Sequence, residues 1–112
     1  MRVITGTARG RVLRTLEGED VRPTTDRVKE AVFSIIQFEI EGRRVLDLFA
    51  GSGQLGIEAL SRGADSATFV DMSKDSLATV KYNLEHTKLG DRAKVIQTDA
   101  LSFLKLTKDR FD

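Results

Sequence analysis

The sequence predicts an α/β fold in which a parallel sheet is covered by helices on both faces. From Arg43 onward, short apolar segments alternate with amphipathic ones in the order strand, helix, strand, helix, strand, helix. Strands that are apolar without in-out alternation belong to sheets buried on both sides, and parallel strands need crossovers of helical length. Between the first strand and its helix stand Gly51, Gly53 and Gly56. Their G-x-G-x-x-G spacing lets a backbone turn tightly out of a strand into a helix, a weak signal alone that gains weight in the first β-α unit of a doubly wound, Rossmann-like sheet.

The elements follow in order. Arg2 to Thr5 and Arg11 to Leu16 read as two strands, and Gly6 and Gly10 bracket the link, which predicts a β-hairpin with a longer loop. The connector EGEDVRPTT comes next. Pro23 cannot continue a preceding helix, and Thr24 or Thr25 is placed to cap the following one, with Asp26 favourable to its dipole. That helix is expected from Thr25 to Phe38, with Val28, Ala31, Val32, Ile35 and Ile36 forming one apolar face. Val45 to Leu48 is the first parallel strand, and a helix runs from AGSGQLG through Leu60, with Gly63 at its C-terminal end. Ala67 to Val70 is the second strand. Ser73 caps a long helix whose face is Leu77, Val80 and Leu84, with Gly90 expected to end it. Lys94 to Gln97 is the third strand and Ala100 to Leu106 the third helix. Two units result: the hairpin and connector over residues 1–24, and the ligand-binding α/β unit over 25–112.

Composition excludes several classes. The chain has 112 residues, room for one core, with 40% apolar and 31% charged residues. It has no apolar run of about eighteen residues, the length a membrane span needs. MRVITGTARG lacks the apolar stretch of a secretory signal, so a cytoplasmic location is expected. There is no Cys, and His86 is the single His. Disulfide frameworks, thiolate or His-rich metal sites and a triad needing a second His are therefore out, and no metal is expected. The net charge of +1 is neutral on nucleic acid, but Arg2, Arg9, Arg11 and Arg14 crowd the first fourteen residues without an acid among them. Such a cluster has the composition of a phosphate-contacting edge, and equally that of a solvated arm.

Asp47 decides which nucleoside ligand the glycine turn suits. It precedes Gly51 by four residues. A dinucleotide would bring a pyrophosphate to the helix N-terminus, where this carboxylate repels it. S-adenosylmethionine brings a sulfonium and an ammonium, which the carboxylate attracts. Asp47 could instead be satisfied by neighbouring backbone N–H groups. Asp71 ends the second strand twenty residues after Gly51 and can accept hydrogen bonds from ribose hydroxyls. Asp99 ends the third strand, where it can take an adenine amine proton or cap the following helix. Three carboxylates at successive strand ends share one edge of the sheet.

MRVITGTARGRVL, RPTTDRVKEAVF and LDLFAGSGQLGIEALSRGA together resemble the bacterial small-subunit ribosomal RNA guanine-N2 methyltransferases of the RsmD type. The resemblance covers essentially the whole chain, and RPTTDRVKEAVF is its specific part. It implies a class I methyltransferase fold, represented here by its first three strands with an N-terminal hairpin and helix. It implies S-adenosyl-L-methionine as cofactor, held near Asp47, Phe49, Gly51, Ser52, Gly53, Asp71, Met72, Asp99 and Ala100. It implies ribosomal RNA or the small ribosomal subunit as partner, faced by Arg2, Arg9, Arg11, Arg14, Arg22 and Arg27. The hairpin and the stretch from Arg22 to Lys29 would face RNA and cover the cofactor, with the target base splayed out of its stack to reach the pocket.

Two departures stand out. Ser34 occupies a position where such proteins often carry Asn. The family's Asp- or Asn-Pro-Pro-Tyr motif is absent: Pro23 is the single proline, and the chain ends in RFD about where a fourth strand should begin. No catalytic residue is therefore assigned, and these 112 residues by themselves are expected not to methylate. The alternatives are a non-catalytic RNA-binding module, which the arginine-rich hairpin would serve, and a nicotinamide-dinucleotide domain, against which Asp47 argues. In the family the first strand lies between the second and fourth. Without the fourth, Val45 to Leu48 would present an apolar open edge, and self-association is expected there.

Overall fold

The computed structural model describes residues 2–15, 23–36, 38–48, 50–107 and 109–112, and of residues 23–28 and 30 the backbone alone. Leu16 and Arg22 thus lie outside the described residues, as does Phe49. Strands β1 (Arg44–Asp47), β2 (Ser66–Asp71) and β3 (Ala93–Gln97) form a parallel sheet in the order β1-β2-β3. Asp47 lies opposite Phe69, and Asp71 opposite Gln97, so the strand ends share one edge as expected. Helix α1 (Pro23–Ile36) precedes β1, while α2 (Gln54–Ser61) and α3 (Lys74–Thr87) make the crossovers and α4 (Ala100–Leu106) follows β3.

Two successive right-handed crossovers in the same direction put α2 and α3 on one face of the sheet. Their core joins Ile57, Leu60, Val80 and Leu84 to Ala67 and Phe69 of β2. The third glycine of the turn, Gly56, permits this contact: a Cβ there would stand 2.4 Å from the Phe69 ring. Buried Val70 and Phe103 fall outside that cluster, on the side of α4. From α4 the chain returns to β1. The Asp112 N–H donates to Arg44 O at 2.9 Å, and Arg44 N–H donates to Asp112 Oδ2 at 2.9 Å. Arg43 O accepts from Asp65 and Ser66 on the β2 side, so Arg44 faces the opposite way and Asp112 sits on the free side of β1. The Arg44 N–H also holds the Asp112 carboxyl below the usual carboxylate range.

The N-terminal hairpin forms, but its strands do not. Arg2 and Val12 make one antiparallel bridge, flanked by Val3 N–H to Arg11 O and Gly10 N–H to Val3 O. Beyond it the helices take over the backbone groups. Ile4 and Thr5 N–H donate to the two oxygens of Glu58, at 2.8 and 3.1 Å, and Thr5 O accepts from Ser61 Oγ at 2.7 Å. A ladder cannot extend when its donors are committed elsewhere. The hairpin is therefore docked on α2 and α3.

Three further expectations are corrected. Helix α1 starts at Pro23, so Thr24 and Thr25 lie inside its first turn and do not cap it; proline suits that position because its fixed φ is helical and the N–H it lacks has no helical acceptor there. Of the apolar face expected of α1, Val28 lies outside the described side chains, Ile36 packs on the core, and Ala31, Val32 (46%) and Ile35 (82%) are exposed. Among its described side chains Lys29 and Phe33 are buried. The Lys29 ammonium reaches inward to Glu58, and the Arg62 guanidinium lies 4.7 Å from the Phe33 ring centre, which sets the roll of the helix. Val32 and Ile36 consequently line a groove of about 560 Å³ with Val45, Leu46 and Leu55. Finally, Gly90 does not end α3. Lys88 takes the left-handed conformation (φ 61°) and Leu89 N–H bonds back to Leu84 O, burying the Leu89 side chain. That apolar contact settles the helix end two residues early.

Glu58 is fully buried, and its carboxylate meets the Ile4 and Thr5 N–H groups, Arg62 Nε at 2.9 Å and Lys29 Nζ at 3.4 Å. Lys29 Nζ also donates to Arg2 O at 3.1 Å. Removing one partner of such a pair leaves the other charge buried and uncompensated, at a cost of about 3–5 kcal/mol. Glu58→Ala should therefore lower stability by about that amount in urea unfolding. Glu58→Gln, which keeps an acceptor for the arm, should cost less; equal losses would mean that the charge alone, and not the acceptor, holds the site.

Candidate functional site

The site is built at the C-terminal edge of the sheet, where β1 gives way to α2. Ala50 N–H still bonds to Val70 O, extending the pairing past the strand end. Gly51 (φ 57°) and Gly53 (φ 82°) then take left-handed conformations, which L side chains avoid. Gly53 N–H closes the turn on Ala50 O at 2.7 Å, and Gly53 O accepts from Ile57 to start α2. The space a Cβ of Gly51 would enter has no atom within 4 Å. A ligand can approach the backbone there.

Asp71 locks this turn to the end of β2. Its Oδ2 accepts Gly51 N–H at 3.0 Å and its Oδ1 accepts Ser73 N–H at 2.8 Å. Each carboxylate oxygen has a second lone pair, so Asp71 can also accept the two hydroxyls of a ribose. Asp47 ends β1 and is half-buried. Asp99 caps α4: its Oδ1 accepts Ser102 N–H at 2.8 Å and its Oδ2 the Ser102 hydroxyl at 2.7 Å. Of its two sequence roles, the helix cap is the one seen here. Ser52 is buried, Met72 is 69% exposed at the rim, and Ala100 is half-buried at the start of α4. The residues expected to hold a cofactor that lie within the described part therefore share one edge, and the open Gly51 face and tethered Asp71 fit an adenosyl group.

The arm carries its charge outward. Arg2, Arg9, Arg11 and Arg14 are all exposed. The Arg14 guanidinium lies 3.7 Å from the centre of the Tyr82 ring, and Tyr82 lies nearly parallel to His86 with ring centres 6.0 Å apart.

The sequence profile of the family described as "Conserved hypothetical protein 95" matches residues 1–112. The chain belongs to this family. Ribosomal RNA small subunit methyltransferase D of Haemophilus influenzae is 45% identical over 106 residues, covering 94% of this chain and 55% of that protein. The Escherichia coli protein of the same name is 43% identical over 104 residues, covering 93% and 52%. A solved structure from Escherichia coli, described as a candidate methyltransferase, superposes with a TM-score of 0.82 at 43% identity, covering 93% of this chain and 56% of that one. The chain thus spans about half the length of the curated relatives it matches, and its sheet is the corresponding part of a class I methyltransferase fold.

Within this family's scaffold, one implied role changes and several residues are new. Lys29, placed by resemblance in a stretch facing RNA, is buried against Glu58. The side chain of Arg27 lies outside the described residues. Sequence reasoning missed Glu58, Ser61 and Asn83, the side chains that hold the arm. A lone carboxylate in the apolar run LGIEAL was the available signal for Glu58. Asn83, a polar residue between Val80 and Leu84 on the buried side of α3, was a weaker one.

The Ser102 backbone N–H, and then its hydroxyl, hold the Asp99 carboxyl below its ordinary value of 3.8. A carboxyl depressed by folding stabilises the protein above its unfolded value, and that contribution is lost as pH falls through the folded value. The thermal midpoints of wild type and Asp99→Ala should differ most at neutral pH and converge as the pH drops below 3.8. A difference independent of pH would show that the ionised cap does not stabilise α4.

Proposed function

We propose that the protein is an S-adenosylmethionine-dependent methyltransferase acting on the exocyclic N2 of a guanine in small-subunit ribosomal RNA. The glycine turn tethered by Asp71, with Asp47 at the adjoining strand end, carries the cofactor half of this reading. The names of the curated relatives support the RNA half. S-adenosylmethionine supplies a methyl group on a sulfonium, an electrophile that a positioned amine attacks in line. This chain's residues bind and orient. Asp71 would accept ribose hydroxyls, Asp47 would attract the ligand's positive groups, the open Gly51 face would let the ligand approach the backbone, and Asp99 at the same edge would accept from an adenine amine. Orientation of this kind supplies most of the acceleration in a bimolecular transfer. The arginine arm contacts RNA phosphates.

Calorimetry on the full-length protein should show binding of S-adenosylmethionine or S-adenosylhomocysteine and none of NAD. Asp71→Ala should weaken that binding by about tenfold or more, since each hydrogen bond to a charged group contributes about 1.5–3 kcal/mol. Binding of NAD alone would overturn the cofactor reading. For the RNA half, replacing Arg9, Arg11 and Arg14 together with Ala should reduce the slope of log affinity against log salt by about 0.7 per lost phosphate contact. An unchanged slope would remove the arm from the interface.

A further inference from the structure

Asn83 joins the arm to the glycine turn through one buried side chain. It stands on α3 and is fully buried. Its Oδ1 accepts Arg14 N–H at 2.7 Å, and its Nδ2 donates to Arg14 O at 2.9 Å and to Ser52 O at 2.9 Å. Both amide protons are thus committed, one to the arm and one to the turn. Ser52 is the residue between Gly51 and Gly53, so its carbonyl sets the orientation of the peptide at the centre of the turn. On the arm side the grip is doubled. Tyr82, the neighbour of Asn83, carries the Arg14 guanidinium on its ring, so α3 holds this one arginine by its N–H, its C=O and its side chain.

The packing of α3 on the sheet does not require this arrangement, because Leu77, Val80 and Leu84 supply that contact. Nor does the arm need Asn83 to stay attached near its tip, where Glu58 and Ser61 hold residues 4 to 8. The bond to Ser52 is the distinctive one, since it spans thirty-one residues to reach the ligand turn. We infer that Asn83 is a positioning residue that couples the two sites, so that ordering the Gly51–Gly53 turn around a cofactor orders Arg14 for RNA, and RNA on Arg14 orders the turn. This rests on the function proposed above. A coupling of this kind is reciprocal: each ligand raises the affinity of the other by the same factor.

The test uses full-length protein, S-adenosylhomocysteine and purified small ribosomal subunits. The affinity for each ligand is measured with and without the other. Wild type should show mutual strengthening of about fivefold or more. Asn83→Asp, which replaces the two N–H donors with an oxygen facing Arg14 O and Ser52 O, should bring the factor close to one while each ligand still binds alone. In wild type, hydrogen exchange at the Arg14 amide should slow when S-adenosylhomocysteine is added, a readout that needs no variant to fold. Independent binding in wild type, a coupling factor unchanged in Asn83→Asp, or Arg14 exchange indifferent to S-adenosylhomocysteine would each overturn the inference. Failure of wild type to bind either ligand at all is a different result, and it would remove the proposed function together with this coupling.

Discussion

A carboxylate taken out of water must collect its partners from the protein, and Glu58 collects them from three parts of the chain. Lys29 comes from α1, Arg62 from the end of α2, and the Ile4 and Thr5 amides from the arm. Because each partner is also committed elsewhere, the site constrains more than itself. Lys29 reaches on to Arg2 O, and Arg62 lies over Phe33. The roll of α1, the course of the arm and the seat of both on α2 are therefore one solution to one desolvation problem. A buried pair of this kind is weak evidence for high stability, but its partners must be brought to one place for it to form.

The same economy of contacts explains why the arm keeps so little regular structure. A two-stranded hairpin is marginal in water. Here its backbone donors and acceptors are given to Glu58, Ser61 and Asn83, whose side chains ride on helices already fixed against the sheet. Among the described residues, bonds to backbone atoms leave the arginine side chains uncommitted, apart from Arg14 on Tyr82. A charged surface is thus carried on helix side chains without a core of its own.

The ligand edge depends on a different constraint, the close approach of α2 to β2. Gly56 against Phe69 brings the helix down on the sheet, and Asp71 ties the preceding turn to the neighbouring strand. The Gly51 turn and the end of β2 are thereby tied together at one edge of the sheet.

The parallel strands, their crossovers and the glycine turn were legible in the sequence because they are written in local pattern: apolar runs, helical spacing, and glycines where φ must be positive. Strand-end acids could be placed for the same reason, since a strand boundary fixes which edge its last residue occupies. Asp99 as a cap was one of two local options. What the pattern could not settle was which face of α1 is buried, because Val32 and Ile35 are more apolar than Lys29 and hydrophobicity alone turns the helix the other way. Only the tertiary structure brings Glu58, which lies beyond β1 on the next helix, against Lys29. The arm's lost ladder has the same origin, whereas α3 ends at Thr87 because Leu89 folds back on Leu84 and is buried. Local propensity determined which elements this chain forms; long-range pairing of buried polar groups decided how they are turned and what they hold.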